Sequence, residues 1–175
     1  MALESIKPNQ FVARPHGLIA DQWLLLSSGD FSAGKFNAMT ICWGSLGYMW
    51  DMPFAQVVVR PTRFTYEFMN RYDTFTLCVF PEDHRADLQH LGTVSGRDGD
   101  KFVGTKLTPI AATAVAAPAY AEAELVIECR KVYWQDYDPS HFLDPRILGK
   151  YSGADFHRVF FGEVVALSAA EKYRD

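Results

Sequence analysis

From Glu122 to Trp134 apolar and polar residues alternate, with Leu125, Ile127 and Cys129 set against Glu124, Glu128 and Arg130. A period of two sends such sets to opposite faces of a strand, so this stretch reads as a long, half-exposed strand that needs a sheet around it. Further short apolar runs give it neighbours. Gln22 to Ser28 (QWLLLSS) ends in a Ser-Ser-Gly-Asp turn, Phe36 to Trp43 (FNAMTICW) forms a second run, and Ala55 to Arg60 (AQVVVR) is rich in β-branched residues. Thr74 to Phe80 (TFTLCVF) is stopped by Pro81, and His157 to Leu167 (HRVFFGEVVAL) is the last run. About six strands joined by short connections predict a mainly β fold, an antiparallel barrel closed or nearly closed on itself.

Two segments break the pattern. Phe64, Phe68 and Met69 fall at helical spacing after Thr62, and Asp83 to Leu91 reads as a helix with Leu88 and Leu91 inward and Gly92 as its stop. Ala111 to Ala119 reads as a surface connection, and Asp136 to Gly153, with Pro139, Pro145, Gly149 and Gly153, as an excursion from the barrel. No repeat or Gly/Ser-rich linker divides residues 1–175, which read as a single domain with a substantial core, 49% of the chain being hydrophobic.

The net charge of -4 argues against a general nucleic-acid partner, which needs a broad basic field, but leaves room for a compact anion pocket. The apolar runs are too short to span a membrane, and the N-terminus lacks the pattern of a signal peptide. Cys42, Cys78 and Cys129 are odd in number and lie in apolar or alternating runs, which predicts three reduced, buried thiols in a cytoplasmic protein. His16, His84, His90, His141 and His157 show no metal-ligand spacing, so no metal is expected. Walker, G-x-S-x-G and G-x-G-x-x-G signatures are absent.

Four places can carry chemistry. Val94-Ser95-Gly96-Arg97-Asp98, followed by Lys101, combines flexible backbone, a hydroxyl and two cations, a set suited to a terminal phosphate. Taken alone it also fits a solvated turn. Asn37, Ala38, Met39 and Thr40 can offer hydrogen bonds to a planar heterocycle, or simply begin a strand. Arg60 and Arg63 flank Pro61 and can meet a phosphate or carboxylate, or sit on the surface beside a helix cap. His157 opens the last strand, where it can orient a substrate or donate a proton, or stand as a surface histidine.

The ordered set N-x-M-T-x-x-W (Asn37 to Trp43), R-P-x-R-x-T (Arg60 to Thr65), S-G-R-D-x-D-K-F (Ser95 to Phe102), E-C-R-K-V-Y (Glu128 to Tyr133) and D-F-H-R-x-x-x-G-E-V (Asp155 to Val164) resembles the flavin reductase-like family of FMN-binding split β-barrels, and most of all its flavoredoxin branch. The resemblance spans nearly the whole chain. It implies a homodimer with FMN near the subunit interface. It implies that Ser95, Gly96, Arg97 and Lys101 hold the phosphate, that Asn37 to Thr40 and Trp43 line the flavin ring, that Arg60, Arg63 and Thr65 close the site, and that His157 stands near the flavin. The implied activity is electron transfer from NADH or NADPH through FMN to free flavin or another acceptor. The alternatives are a flavoredoxin-like carrier without nicotinamide turnover and a binding or structural dimer that has lost flavin. The Ala-rich stretch and the Trp50 to Pro53 loop depart from the family pattern and are expected to reshape access to the flavin.

Overall fold

The computed structural model describes residues 3–151, 153 and 155–175; Met1, Ala2, Ser152 and Ala154 lie outside the described residues. Ten strands are present among these: β1 (Glu4–Ser5), β2 (Leu24–Asp30), β3 (Lys35–Ile41), β4 (Gly44–Met49), β5 (Met52–Val59), β6 (Thr74–Val79), β7 (Pro109–Ala111), β8 (Pro118–Tyr120), β9 (Leu125–Asp136) and β10 (Arg158–Ala169). Short helices α1 (Pro15–Gly17), α2 (Phe64–Arg71), α3 (Arg85–Thr93) and α4 (Pro145–Leu148) punctuate them.

The main sheet runs β3-β2-β6-β9-β10-β5-β4, with β1 added to β10, and every pairing is antiparallel. Its two end strands, β3 and β4, are not hydrogen-bonded to each other, yet Met39 and Ile41 of β3 and Leu46 of β4 pack on one apolar core with Val57, Phe75, Ile127 and Phe160. The sheet therefore curls into a barrel and leaves it split between its first and last strands. A second core lies outside the barrel, where Ala38, Leu25 and Cys78 meet Leu88 and Leu91 of α3 and Tyr120 of β8. Alternation along β3 divides its residues between these cores: Met39 and Ile41 join the first, Ala38 the second.

Four sequence expectations change. Gly92 does not stop α3, which continues to Thr93. A Cβ at position 92 would come within 3.3 Å of the Thr40 Cβ, so the glycine permits close approach of helix to β3. The Ala-rich segment is a surface connection only in part: Ala111, Thr113, Ala114 and Ala116 are exposed, whereas Ala117 and Ala119 are buried, and β7 pairs with β8. Glu128, expected outward by alternation, is buried beneath it, and its carboxylate accepts bonds from Thr113 N (2.9 Å), Thr113 Oγ1 (2.6 Å) and Ala114 N (2.6 Å). The loop supplies the donors that make a buried carboxylate tolerable. Finally, β4 is a strand that the apolar pattern does not announce. It turns into β5 through Trp50 and Asp51, both at φ 56°, the two-residue hairpin geometry usually left to Asn and Gly.

Candidate functional site

The split in the barrel opens into two adjoining cavities that share Met39 and Arg63. The smaller, about 70 Å³, lies where the N-terminus of α2 meets the segment after α3. Thr62, Thr65, Thr93 and Ser95 bring hydroxyls to it, and Gly96 brings backbone without a side chain. Asn37 forms its floor: its Nδ2 donates to Thr65 Oγ1 at 2.7 Å, and both residues are buried. A Cβ on Gly96 would lie 2.3 Å from Asn37 Oδ1, so only glycine lets the segment come this close.

The larger cavity, about 230 Å³, is walled by Met39, Ile41 and Val58 and edged by Thr40, Cys42, Trp43, Arg60 and His157. Trp43 is 43% exposed, and its ring lies 5.2 Å from that of His157. Arg60 is held from the far side. Its Nη1 donates to Asp155 Oδ2 at 2.8 Å, its Nη2 donates to the Lys150 carbonyl at 2.7 Å, and its guanidinium stands 5.0 Å from the centre of the Tyr151 ring. Arg63 donates to the Gly92 carbonyl, which fixes a cation between the two cavities.

Two buried bases set the electrostatics. Lys101 donates through Nζ to the carbonyls of Ala38 (2.9 Å) and Leu91 (2.7 Å), tying β3 to α3. Burial, helped by the nearby Arg63 charge, lowers its pKa to about 8. An ammonium has three donors, so one remains for the small cavity that Lys101 lines. His157 is also buried, and its Nδ1 shares a 2.9 Å hydrogen bond with the Tyr151 hydroxyl. Burial, and then the charge of Arg60, push its pKa down to about 4, against the opposing pull of Asp155. The ring is therefore neutral at pH 7. In the unfolded chain a histidine titrates near about 6.5, so between the two values the unfolded state holds the extra proton and stability falls as the pH drops through that window. His157→Gln should lose less stability than the parent between about pH 6.5 and pH 4, read as a smaller shift in urea midpoint.

Cys42 does not share the expected burial. Cys78 and Cys129 lie in the core, where burial raises the first thiol to about 12 and pushes the second higher still, whereas Cys42 is exposed at the cavity edge. The register explains the difference: Cys42 follows β3, past the last position that faces the barrel interior. A thiol reagent should label one cysteine per native chain and all three in denaturant, and a ligand filling the larger cavity should slow the native reaction.

The structure brings most of the residues singled out by sequence to this cleft. Met39, Thr40, Trp43, Arg60 and His157 border the larger cavity; Asn37, Thr65, Ser95, Gly96 and Lys101 border the smaller. Two stand elsewhere. The Ala38 side chain is in the outer core, and only its carbonyl is used, by Lys101. Arg97 turns away: it donates to Glu67 Oε1 at 2.5 Å and to the Thr62 carbonyl at 3.1 Å, with its guanidinium 5.0 Å from the centre of the Phe64 ring. Sequence reading gave no site role to Cys42 or Asp155, although both fall within quoted motifs, nor to Thr93 and Tyr151; Tyr151 is bonded to His157 and Asp155 to Arg60. Among the described residues no cluster of three or more His, Cys, Asp or Glu side chains could hold a metal ion.

Residues 17–175 match the family described as flavin reductase like domain. The chain belongs to that family. Solved structures share the fold of this flavin reductase-like chain. One is an FMN-binding domain of a flavin reductases-like enzyme from Shewanella baltica (TM-score 0.68, 18% identity, 96% of this chain and 77% of that one). Another is flavoredoxin from Methanosarcina acetivorans (TM-score 0.68, 22% identity, 100% and 79%). A third is an NADH:FAD oxidoreductase from Streptomyces globisporus (TM-score 0.65, 16% identity, 87% and 78%). No curated protein matches. Among the described residues no helix is long and apolar enough to cross a membrane.

Proposed function

We propose that this flavin reductase-like chain binds FMN across the two cavities and passes electrons from NADH or NADPH to free flavin or another acceptor. The observation that carries the reading is the pairing itself: a small cavity of hydroxyls, glycine backbone and cations opens directly onto a larger, mostly apolar one. FMN has the same division, a compact phosphate dianion joined to a broad ring.

Thr65, Ser95 and the backbone about Gly96 suit the phosphate oxygens, and Arg63 and Lys101 suit their charge. Met39, Ile41 and Val58 give the ring an apolar wall, and exposed Trp43 offers a second planar surface. When bound, the flavin supplies the hydride and electron transfer, and the protein supplies position and field. Arg60 and Arg63 place positive charge beside the larger cavity, which favours an electron-rich ring. His157, neutral at pH 7, orients ligand and Tyr151 rather than acting as a ready acid.

The whole chain is read as one domain acting as a homodimer in the cytoplasm. Exposed Trp50 and Tyr133, whose rings lie 6.1 Å apart and both meet Phe161, support self-association, since clustered aromatics are enriched at interfaces. The test is an anaerobic absorption spectrum after FMN is added, then NADH or NADPH. Flavin bands that bleach with either nucleotide are expected. Bands that bleach only with dithionite would instead indicate a flavoredoxin-like carrier, and the absence of FMN uptake would contradict the reading at its root.

A further inference from the structure

The pairing of β5 with β10 sets Arg158 opposite Val59, so the residues just beyond that pair, Arg60 and His157, emerge together at the larger cavity. Asp155, two residues before His157, reaches Arg60 from behind, and its Oδ2 accepts from Nη1 at 2.8 Å. The hydrogen bond from Arg60 holds the Asp155 carboxyl below its ordinary range, so it is ionised at pH 7. Both side chains of the pair are partly buried, and water and salt weaken it less than a pair on the open surface. Asp155 itself borders neither cavity of the cleft.

Arg63, the other arginine of the larger cavity, is treated differently. It donates to the neutral Gly92 carbonyl, which leaves its charge undiminished. Of the two positive charges beside the ring cavity, one is full and one is offset from behind. Anchorage does not account for the difference. Arg60 is also held by the Lys150 carbonyl at 2.7 Å and by the Tyr151 ring, neither of which brings a charge. Building on the flavin reading above, we propose that Asp155 is a positioning residue that acts through Arg60: it sets how much positive charge the larger cavity presents, and so how far the protein favours reduced over oxidised flavin. Reduction makes the ring electron-rich, a full cation beside it stabilises that form, and a carboxylate behind the cation subtracts from the effect. The offset keeps the reduced flavin a willing donor to the next acceptor.

Cys42 gives a probe of this field that needs no flavin, because it is exposed at the cavity edge while Cys78 and Cys129 are buried. On the full chain freed of flavin, at about 10 mM salt, its rate of reaction with anionic dithiobis(nitrobenzoate) is divided by its rate with neutral dithiodipyridine. Both reagents consume the thiolate, so the ratio cancels changes in thiolate content and reads the local charge. Asp155→Asn keeps the side chain's size and an oxygen for Arg60, and should raise the ratio about three- to fivefold. Asp155→Ser, which also removes the charge, should move it the same way, so the result does not depend on one variant folding. Arg60→Gln should lower the ratio, and Asp155→Glu should restore the parent value. Loaded with FMN, Asp155→Asn should favour the reduced over the oxidised form about fivefold more than the parent does, a rise of about 20 mV in the two-electron potential. A thiol ratio unchanged by both charge-removing variants overturns the proposal. So does FMN that binds with the same potential in parent and variant, and this result leaves the flavin reading standing. A parent that takes up no FMN overturns the flavin reading and the proposal with it.

Discussion

Gly162→Ala should destabilise the protein by roughly 2–3 kcal/mol, the upper part of the usual range for overpacking a filled core. Gly162 lies in β10 at a register shift, opposite Ala55 of β5 and Lys131 of β9. A Cβ there would stand 2.5 Å from Phe75 Cε1, 2.6 Å from its Cζ and 2.8 Å from Cys129 Cβ. Phe75 and Cys129 are both fully buried, so neither can yield into solvent. The methyl must displace an aromatic ring inside the barrel or open the β9–β10 bulge. Urea unfolding should show a lower midpoint with an unchanged slope, and the thermal midpoint should fall by about 2–4 °C per kcal/mol. An unshifted midpoint would mean that the barrel interior is looser than these contacts describe.

Gly96→Ala should weaken FMN binding at least about tenfold while leaving riboflavin little affected, because one or two charge-assisted contacts are worth that much. The added methyl would meet Asn37 Oδ1 at 2.3 Å and Phe64 Cδ1 at 3.0 Å. Asn37 cannot move without stretching its 2.7 Å bond to Thr65, and both side chains line the smaller cavity. The obstruction therefore falls on the phosphate end and not on the ring end. Some stability is lost as well, about 1–2 kcal/mol, since Asn37 and Thr65 are buried. Parallel titrations separate the two effects. Equal losses for FMN and riboflavin would place the damage in the fold rather than in the phosphate cavity.

Two details of the strands were misread: Ser28, Gly29 and Asp30 continue β2 rather than turning it, and β9 is buried on both faces from Leu125 to Cys129 and exposed beyond, so its alternating sequence does not become alternating burial. The strands themselves were legible because their apolar runs are short and β-branched and because Pro81 closes β6 locally. The strand β4 was not, since Gly44, Gly47 and an exposed Tyr48 offer no apolar alternation, and its turn uses Trp50 and Asp51 where hairpins usually show glycine. The burial of Glu128 was hidden for a different reason. It depends on Thr113 and Ala114, whose arrival over β9 is a tertiary event that no local pattern encodes.

Much of the cleft could be read as short motifs, yet their grouping was carried by resemblance rather than by spacing. Asn37, Thr65 and Gly96 are far apart in sequence and meet because α2 and the segment after α3 both close on β3. Arg97 shows the converse. Its position beside Ser95 and Gly96 suggests a phosphate ligand, but its side chain has a stronger local offer from Glu67 and the Thr62 carbonyl. Arg63, farther away in sequence, is the arginine that borders both cavities.

The central claim is that the smaller cavity holds the phosphate of a flavin whose ring fills the larger. The most direct measurement is a pair of binding titrations of the flavin-free chain, FMN against riboflavin, followed by flavin absorbance. FMN is expected to bind at least about tenfold more tightly, the contribution of a charge-assisted phosphate contact. Equal affinity for the two would contradict it, because the phosphate would then make no use of the cavity formed by Arg63, Thr65, Ser95 and Gly96.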